Sequence, residues 1–185
     1  MEVFLLADSN ITKKALATAL KELMNEISFE KITISDICEK CNMNRKSFYY
    51  HFKDKYDLAN WIFDTEFMAV VLKKNYKDSW TKIEDICEYF YSNHCFYSKI
   101  LNVTGQNSLQ EHLRELMFPV LSEIFTEGSL DSRMRTFQIE FFSDAFVMAF
   151  QRWLKERNPM QPEEFVEQCR ICVQIVQAKL KELEQ

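Results

Sequence analysis

Met43-Asn44-Arg45-Lys46-Ser47-Phe48-Tyr49-Tyr50-His51-Phe52-Lys53-Asp54-Lys55-Tyr56-Asp57-Leu58 is the stretch whose reading decides the fold. Asn44 is a good helix cap, and Phe48 and Phe52, four residues apart, share one helical face with Arg45, Lys46, Tyr49 and Tyr50 on the other. The spacing predicts a short amphipathic helix from Arg45 to about Phe52, anchored inward through its phenylalanines together with Ile37 and Met43. Two tyrosines beside two bases are unusual on a purely solvated face. Their rings can touch thymine methyls or sugars and their hydroxyls can reach phosphates. An ordinary amphipathic helix has the same spacing, so the pattern by itself leaves both readings open.

Upstream, Cys41-Asn42-Met43 reads as a tight turn, because Asn tolerates the left-handed conformation. Before it, Thr33 stands where an N-cap would, with Asp36 three residues on as the acid of a capping box, which predicts a short helix from Ile34 to Lys40. Two short helices joined by such a turn make a helix-turn-helix. A longer helix precedes them: Ile11, Ala15, Ala19, Leu23 and Ile27, with Leu16, Leu20 and Met24 alongside, recur at helical spacing, and Asp8, Ser9 or Asn10 can cap it. Downstream, Asp54 can cap a fourth helix that buries Leu58, Ile62 and Phe67 or Val70 and Val71 on its way to about Lys74.

The remainder reads as helices at about Trp80–Leu101, Leu109–Phe125, Arg133–Lys155 and Pro162–Leu183, with Pro119 as a point where the second could split. Pro162 at a first helical position, Glu163 and Glu164 behind it, and Lys179 and Lys181 near the far end suit the helix dipole. Only two Gly and three Pro in 185 residues leave too few turns for a sandwich or barrel, so the expected fold class is all-α. A composition of 47% hydrophobic and 28% charged residues excludes disorder as the whole answer. No apolar run approaches the roughly 18 residues of a membrane span, and Glu2 spoils a basic signal flank, so the expected location is the cytoplasm, without membrane association.

Charge is uneven. The net charge is −5, yet residues 31–56 hold six basic and three acidic groups. A local cationic patch in an acidic chain points to nucleic acid at that segment only.

At this point the segment resembles a known family. Ile32-Thr33-Ile34-Ser35-Asp36-Ile37-Cys38 followed by Met43 to Leu58 is similar to the DNA-binding domain of the TetR family of bacterial transcription regulators, over about residues 10–60. The resemblance implies that Arg45, Lys46 and Tyr50 touch base edges, that Thr33, Ser47, Tyr49, His51 and Lys55 contact the phosphate backbone, and that Phe48, Phe52 and Leu58 lie in the core. Physical chemistry agrees with that division: an Arg can pair bidentately with guanine, and a Lys opening the next helix adds its charge to that helix's positive end. Asn42 replaces the family's usual turn Gly, and Lys46 replaces a common small residue, which puts a close backbone approach to a base there in doubt. The Tyr-Tyr-His-Phe-Lys-Asp-Lys-Tyr-Asp-Leu wording, with Trp61 and Ile62, also resembles the branch containing regulators of dihydroxyacetone kinase genes, which implies a partner protein on the effector side.

Other residues carry weaker signals. Cys38 and Cys41, and Cys169 and Cys172, form two C-x-x-C pairs, but the first sits at the end of a helix and its turn and the second on an amphipathic helix, and free Cys behaves as a small hydrophobe, so apolar packing is expected and no metal or cofactor. Cys87, His94, Cys95 and His112 are the nearest approach to a sensor set. With no nucleophile-base arrangement, phosphate loop or paired carboxylates, no catalytic residue is assigned. Aromatics crowd Ile86–Leu101 and Phe137–Phe150, and Tyr89, Phe90, His94, Phe96, His112, Met117 and Phe141 are candidate walls of a ligand pocket, chiefly through the family resemblance. Phe142, Ala145, Phe146 and Ala149, with Cys169, Val173, Val176 and Leu180, offer an apolar surface that pairing with a second copy would bury in a four-helix bundle.

The expectation is therefore a homodimer in which residues 1–60 read DNA and residues 61–185 bind an effector and dimerise. Its partners would be an inverted-repeat operator in double-stranded DNA and a small molecule or partner protein. The alternatives are an interaction module with a vestigial helix-turn-helix and a helical enzyme.

Overall fold

The computed structural model describes residues 2–68, 71, 74–101, 109–125 and 132–183. Among them are nine α-helices and no strand, so the all-α expectation holds. None of these helices is long and apolar enough to cross a membrane. The chain divides into two compact units, Met1–Val70 and Val71–Gln185.

The first unit holds α1 (Glu2–Glu26), a 3-10 turn (Phe29–Lys31), α2 (Ile34–Lys40), α3 (Arg45–His51) and α4 (Lys55–Ile62), which continues as a π-helical turn over Phe63–Met68. α1 starts earlier than its apolar stripe predicts, so the expected cap positions Asp8, Ser9 and Asn10 fall within its span. The stripe itself is narrower than expected. Leu16, Leu20 and Met24 are fully buried, whereas Ile11 and Ile27 at its ends are exposed. α1 packs on α2, α3 and α4, and Ile37, Phe48, Leu58 and Ile62 complete the buried layer. Each such side chain contributes roughly 1.5–3 kcal/mol by leaving water. The helix after Asp54 does not stay helical as far as Lys74, which lies in a bend.

The caps read from the sequence for α2, α3 and α4 are present. Thr33 and Asp36 form a full capping box on α2, Asn44 Oδ1 accepts from Ser47 N at 2.9 Å on α3, and Asp54 Oδ1 accepts from Tyr56 N and Asp57 N, both at 2.9 Å, on α4. Asn42 takes the left-handed conformation expected of the turn, with φ 54°.

The second unit holds α5 (Ser79–Ser92), α6 (His94–Ile100), α7 (Leu109–Ile124), α8 (Ser132–Lys155) and α9 (Pro162–Leu183). The single helix expected over Trp80–Leu101 is broken at Asn93, whose side-chain amide donates to Tyr89 O at 2.8 Å and draws off a carbonyl at the break. Pro119 lies within α7 without splitting it. α8 packs on α6 and α7, and α9 on α5. The core is aromatic: Trp153 stacks on Phe165 with centroids 4.6 Å apart, and Phe90 meets Phe150 edge-on at 5.0 Å. The buried Trp153 indole is satisfied by Met160 O at 2.8 Å, which fixes the connection into α9.

Candidate nucleic-acid interface

α3 sorts its side chains by their spacing. Phe48 is fully buried and tilts against Phe52, whereas Arg45, Lys46, Tyr49 and Tyr50 are exposed, Tyr50 to 81%. The three expected base readers thus share the solvent face of one short helix. Arg45 is held there. Its Nη2 donates to Tyr49 Oη at 3.3 Å, and the guanidinium lies 5.8 Å from that ring. The phenol hydrogen bond also raises the Arg45 pKa. An exposed cation beside two tyrosines, over a water-excluding phenylalanine anchor, is what a helix entering a major groove requires.

The expected phosphate contacts are placed less uniformly. Ser47 Oγ donates to the cap residue Asn44 Oδ1 at 3.3 Å, and the cap residue Thr33 donates through Oγ1 to Asp36 Oδ2 at 2.8 Å, so both hydroxyls are engaged in capping. The two hydrogen bonds from Thr33 hold the Asp36 carboxyl below its ordinary pKa. His51 is half-buried against Tyr50, at 4.9 Å, and burial lowers its pKa, helped by the nearby Lys13 charge. Lys55 is half-buried, with its ammonium directed at backbone carbonyls of the 3-10 turn. Sequence reasoning missed Lys13, whose ammonium lies 5.8 Å from the Phe52 ring and 5.9 Å from the Trp61 ring, tying α1 to the end of α3 and to α4. Lys13 stands beside Lys14 in α1, and nothing in its sequence neighbourhood points to those two rings.

In the second unit the ligand-pocket candidates separate. Tyr89, Phe90 and Phe96 surround Tyr97, with the hydroxyls of Tyr89 and Tyr97 3.1 Å apart. Met117 is buried on α7 and His112 is half-buried there. His94 is exposed, and Phe141 points away from the core at 57% exposure. An open apolar groove of about 260 Å³ lies elsewhere, between α8 and α9 over Trp80, Ile83 and Leu121. Six of the dimer candidates, Phe142, Ala145, Phe146, Ala149, Cys169 and Val173, line it, while Val176 and Leu180 are half-buried further along α9. Phe146 and Val173 are nevertheless core residues. The large apolar residues exposed among those described are Met134, Phe137, Phe141 and Met148 on α8 and Ile171 and Ile175 on α9. The spacing of 134, 137, 141 and 148 on one helix was the signal for that face.

The cysteines are free. Cys38 and Cys87 are buried and Cys41 and Cys169 half-buried, in keeping with apolar packing, whereas Cys95 and Cys172 are exposed. Burial pushes the Cys169 thiol up to about 11 and raises that of Cys87 well above the ordinary thiol range.

Two family models match. That for bacterial regulatory proteins of the tetR family covers residues 16–61, and that for a transcriptional regulator C-terminal region covers residues 78–174. The HTH-type dhaKLM operon transcriptional activator DhaS of Lactococcus lactis subsp. lactis (strain IL1403) is 31% identical over 93 residues, which are 50% of this chain and 50% of that protein. The match therefore spans about half the length of that relative. Among solved structures, a TetR transcriptional regulator from Streptococcus agalactiae 2603V aligns with a TM-score of 0.72 at 21% identity, over 94% of this chain and 99% of that one. The dihydroxyacetone kinase operon activator DhaS aligns with a TM-score of 0.68 at 20% identity, over 92% and 97%. At these identities the structural likenesses speak for the fold.

Proposed function

The chain belongs to the tetR family of bacterial regulatory proteins, and on that premise we propose that it is a homodimeric, sequence-specific DNA-binding regulator of transcription working in the cytoplasm. The observation that carries the proposal is the sorting of α3: Phe48 fully buried, with Arg45, Lys46, Tyr49 and Tyr50 all exposed on the same short rod. Arg45, Lys46 and Tyr50 read base edges, and Tyr49 and His51 flank them toward the backbone.

Dimerisation is supported by the apolar face of α8 and α9. Ile175 at 65% exposure and Phe141 beside an open apolar groove present more greasy surface than a monomer keeps in water. Two α8–α9 pairs would close a four-helix bundle and set two α3 helices roughly 34–36 Å apart, which calls for an inverted-repeat operator. The second unit takes the effector, a small molecule or a partner protein.

Binding-site selection from a random-sequence duplex library tests the reading. Enrichment of an approximate inverted repeat is expected, with affinity that falls steeply with salt. No enrichment, together with a flat salt slope, would leave an interaction module with a vestigial helix-turn-helix.

A further inference from the structure

We propose that the cleft between α7 and α8 in the second unit is a binding site for a small organic dication, a diamine in its ammonium form. The site names the chemistry of the effector that the regulator reading leaves open, and its role as an effector site rests on that reading.

The cleft has a volume of about 400 Å³ and is lined by Arg114, Glu115 and Phe118 of α7 and by Glu140, Ser143 and Asp144 of α8. Arg114 pairs with Asp144 across the two helices, so these two charges cancel. Among the described residues neither Glu115 nor Glu140 makes a hydrogen bond or an ion pair. Two carboxylates are thus left uncompensated, and Glu140 stands one turn from Asp144 on the same helix, where like charges repel. A cleft whose surplus charge is of one sign concentrates ions of the other, and an excess of two negative charges matches a ligand that carries two positive ones.

A second observation points to the same ligand. Ser143, 1% exposed, forms part of the lining, and its Oγ has no hydrogen-bond partner. Two other polar side chains buried in this unit are satisfied: Ser79 donates to Glu123 at 2.5 Å and Gln151 to Leu101 O at 3.3 Å. A serine within a helix can turn its hydroxyl back to the carbonyl one turn earlier, and Ser143 does not. An unpartnered buried oxygen costs stability, which an N–H donor brought to it relieves.

Phe118, 39% exposed on α7, adds an aromatic face for an ammonium or for the methylenes between two of them. A metal ion suits the site less. Among the described residues no three His, Cys, Asp or Glu side chains are grouped to hold one, whereas Ca²⁺ takes roughly six to eight oxygen ligands.

Isothermal titration calorimetry of the full chain at about 150 mM NaCl, where loose surface attraction is screened, tests the site. The probes are 1,4-diaminobutane and 1,6-diaminohexane, with 1,6-hexanediol as the uncharged isostere. At least one diamine should bind saturably at a single site per chain, and hexanediol should not bind. Glu140→Gln and Glu115→Gln should each weaken the diamine about tenfold, while Glu164→Gln, at the exposed start of α9, leaves it unchanged. Ser143→Ala should weaken it about fivefold yet keep a thermal midpoint at or above that of wild type, because alanine buries no polar atom.

No saturable diamine binding, equal binding of hexanediol, or undiminished affinity in Glu140→Gln would overturn the proposal, as would Mg²⁺ binding in preference to both diamines. A lowered midpoint in Ser143→Ala would do so too, since the hydroxyl would then have a partner within the protein. Gel shifts with a duplex recovered by the selection above test the effector role: saturating diamine should change affinity about fivefold or more. Unchanged affinity with binding intact would end that role. If selection enriches no duplex, the regulator reading fails, while calorimetry still decides the cleft.

Discussion

Arg45 and Tyr49 stand one turn apart on α3, and the guanidinium of the first donates to the phenolic oxygen of the second at 3.3 Å. The bond lays the arginine along the helix and limits the rotamers it must give up on binding. The planar fork still has donors left for the paired acceptors of a guanine edge.

Arg45→Ala should accordingly cost about 1–3 kcal/mol at one operator position and relax the preference there. Tyr49→Phe keeps the ring, loses only the acceptor, and should cost less, about 0.5–1.5 kcal/mol. Competition gel shifts with single-base operator variants check this. Arg45→Ala weakening every variant alike would contradict a base-reading role.

The proposed dimer face separates from the core at Phe146. That ring is 8% exposed and stacks on Phe150, so Phe146→Asp should unfold the second unit at a cost of several kcal/mol. Ile175→Asp, on the exposed face of α9, should instead leave helicity intact and give monomers. Light scattering with parallel circular dichroism distinguishes the two, and a folded Ile175→Asp dimer would move the interface elsewhere.

The cap of α2 makes a pH prediction. Hydrogen bonds from the Thr33 backbone N–H and hydroxyl hold the Asp36 carboxyl below its ordinary pKa, so the folded state prefers the carboxylate. Its stabilising contribution is present above the unfolded value and disappears as pH falls through the lower, folded one. Wild type should therefore exceed Asp36→Asn in stability at neutral pH and converge with it in acid. Urea denaturation at several pH values reads the difference, and a constant gap would refute the assignment.

Thiol reactivity should follow burial and thiolate content. With Cys169 pushed up to about 11 and Cys87 fully buried, both should resist iodoacetamide at pH 8, while exposed Cys95 reacts first. Cys172 lines the apolar groove, so in the proposed dimer its labelling should quicken on dilution into monomers. Mass mapping over time checks the order. Early labelling of Cys87 would mean that its surroundings open readily.

Several features were legible in the sequence because they are decided within a few residues. The Thr33–Asp36 box, the Asn44 and Asp54 caps and the left-handed Asn42 each follow from a short polar side chain reaching its own backbone. The start of α1 was misread for a related reason. Asp8, Ser9 and Asn10 are favoured as caps, but capping preference is weak against a backbone that continues helical through them. The break at Asn93 was missed because the apolar rings on both sides keep a helical spacing across it.

The helices of the first unit, the turn of the helix-turn-helix and the cationic face of α3 were thus legible from the sequence, through periodicity and local hydrogen bonding. Which face of α8 is core and which is surface was not, because that helix is apolar on several sides. Only the packing of Phe146 against Phe150 and Phe165 turned Phe141 outward. The destination of the Lys55 charge was equally beyond local reading. Its three acceptors lie 23 to 26 residues earlier in the chain, and a cation's partner is chosen by what the fold brings within 3 Å of it.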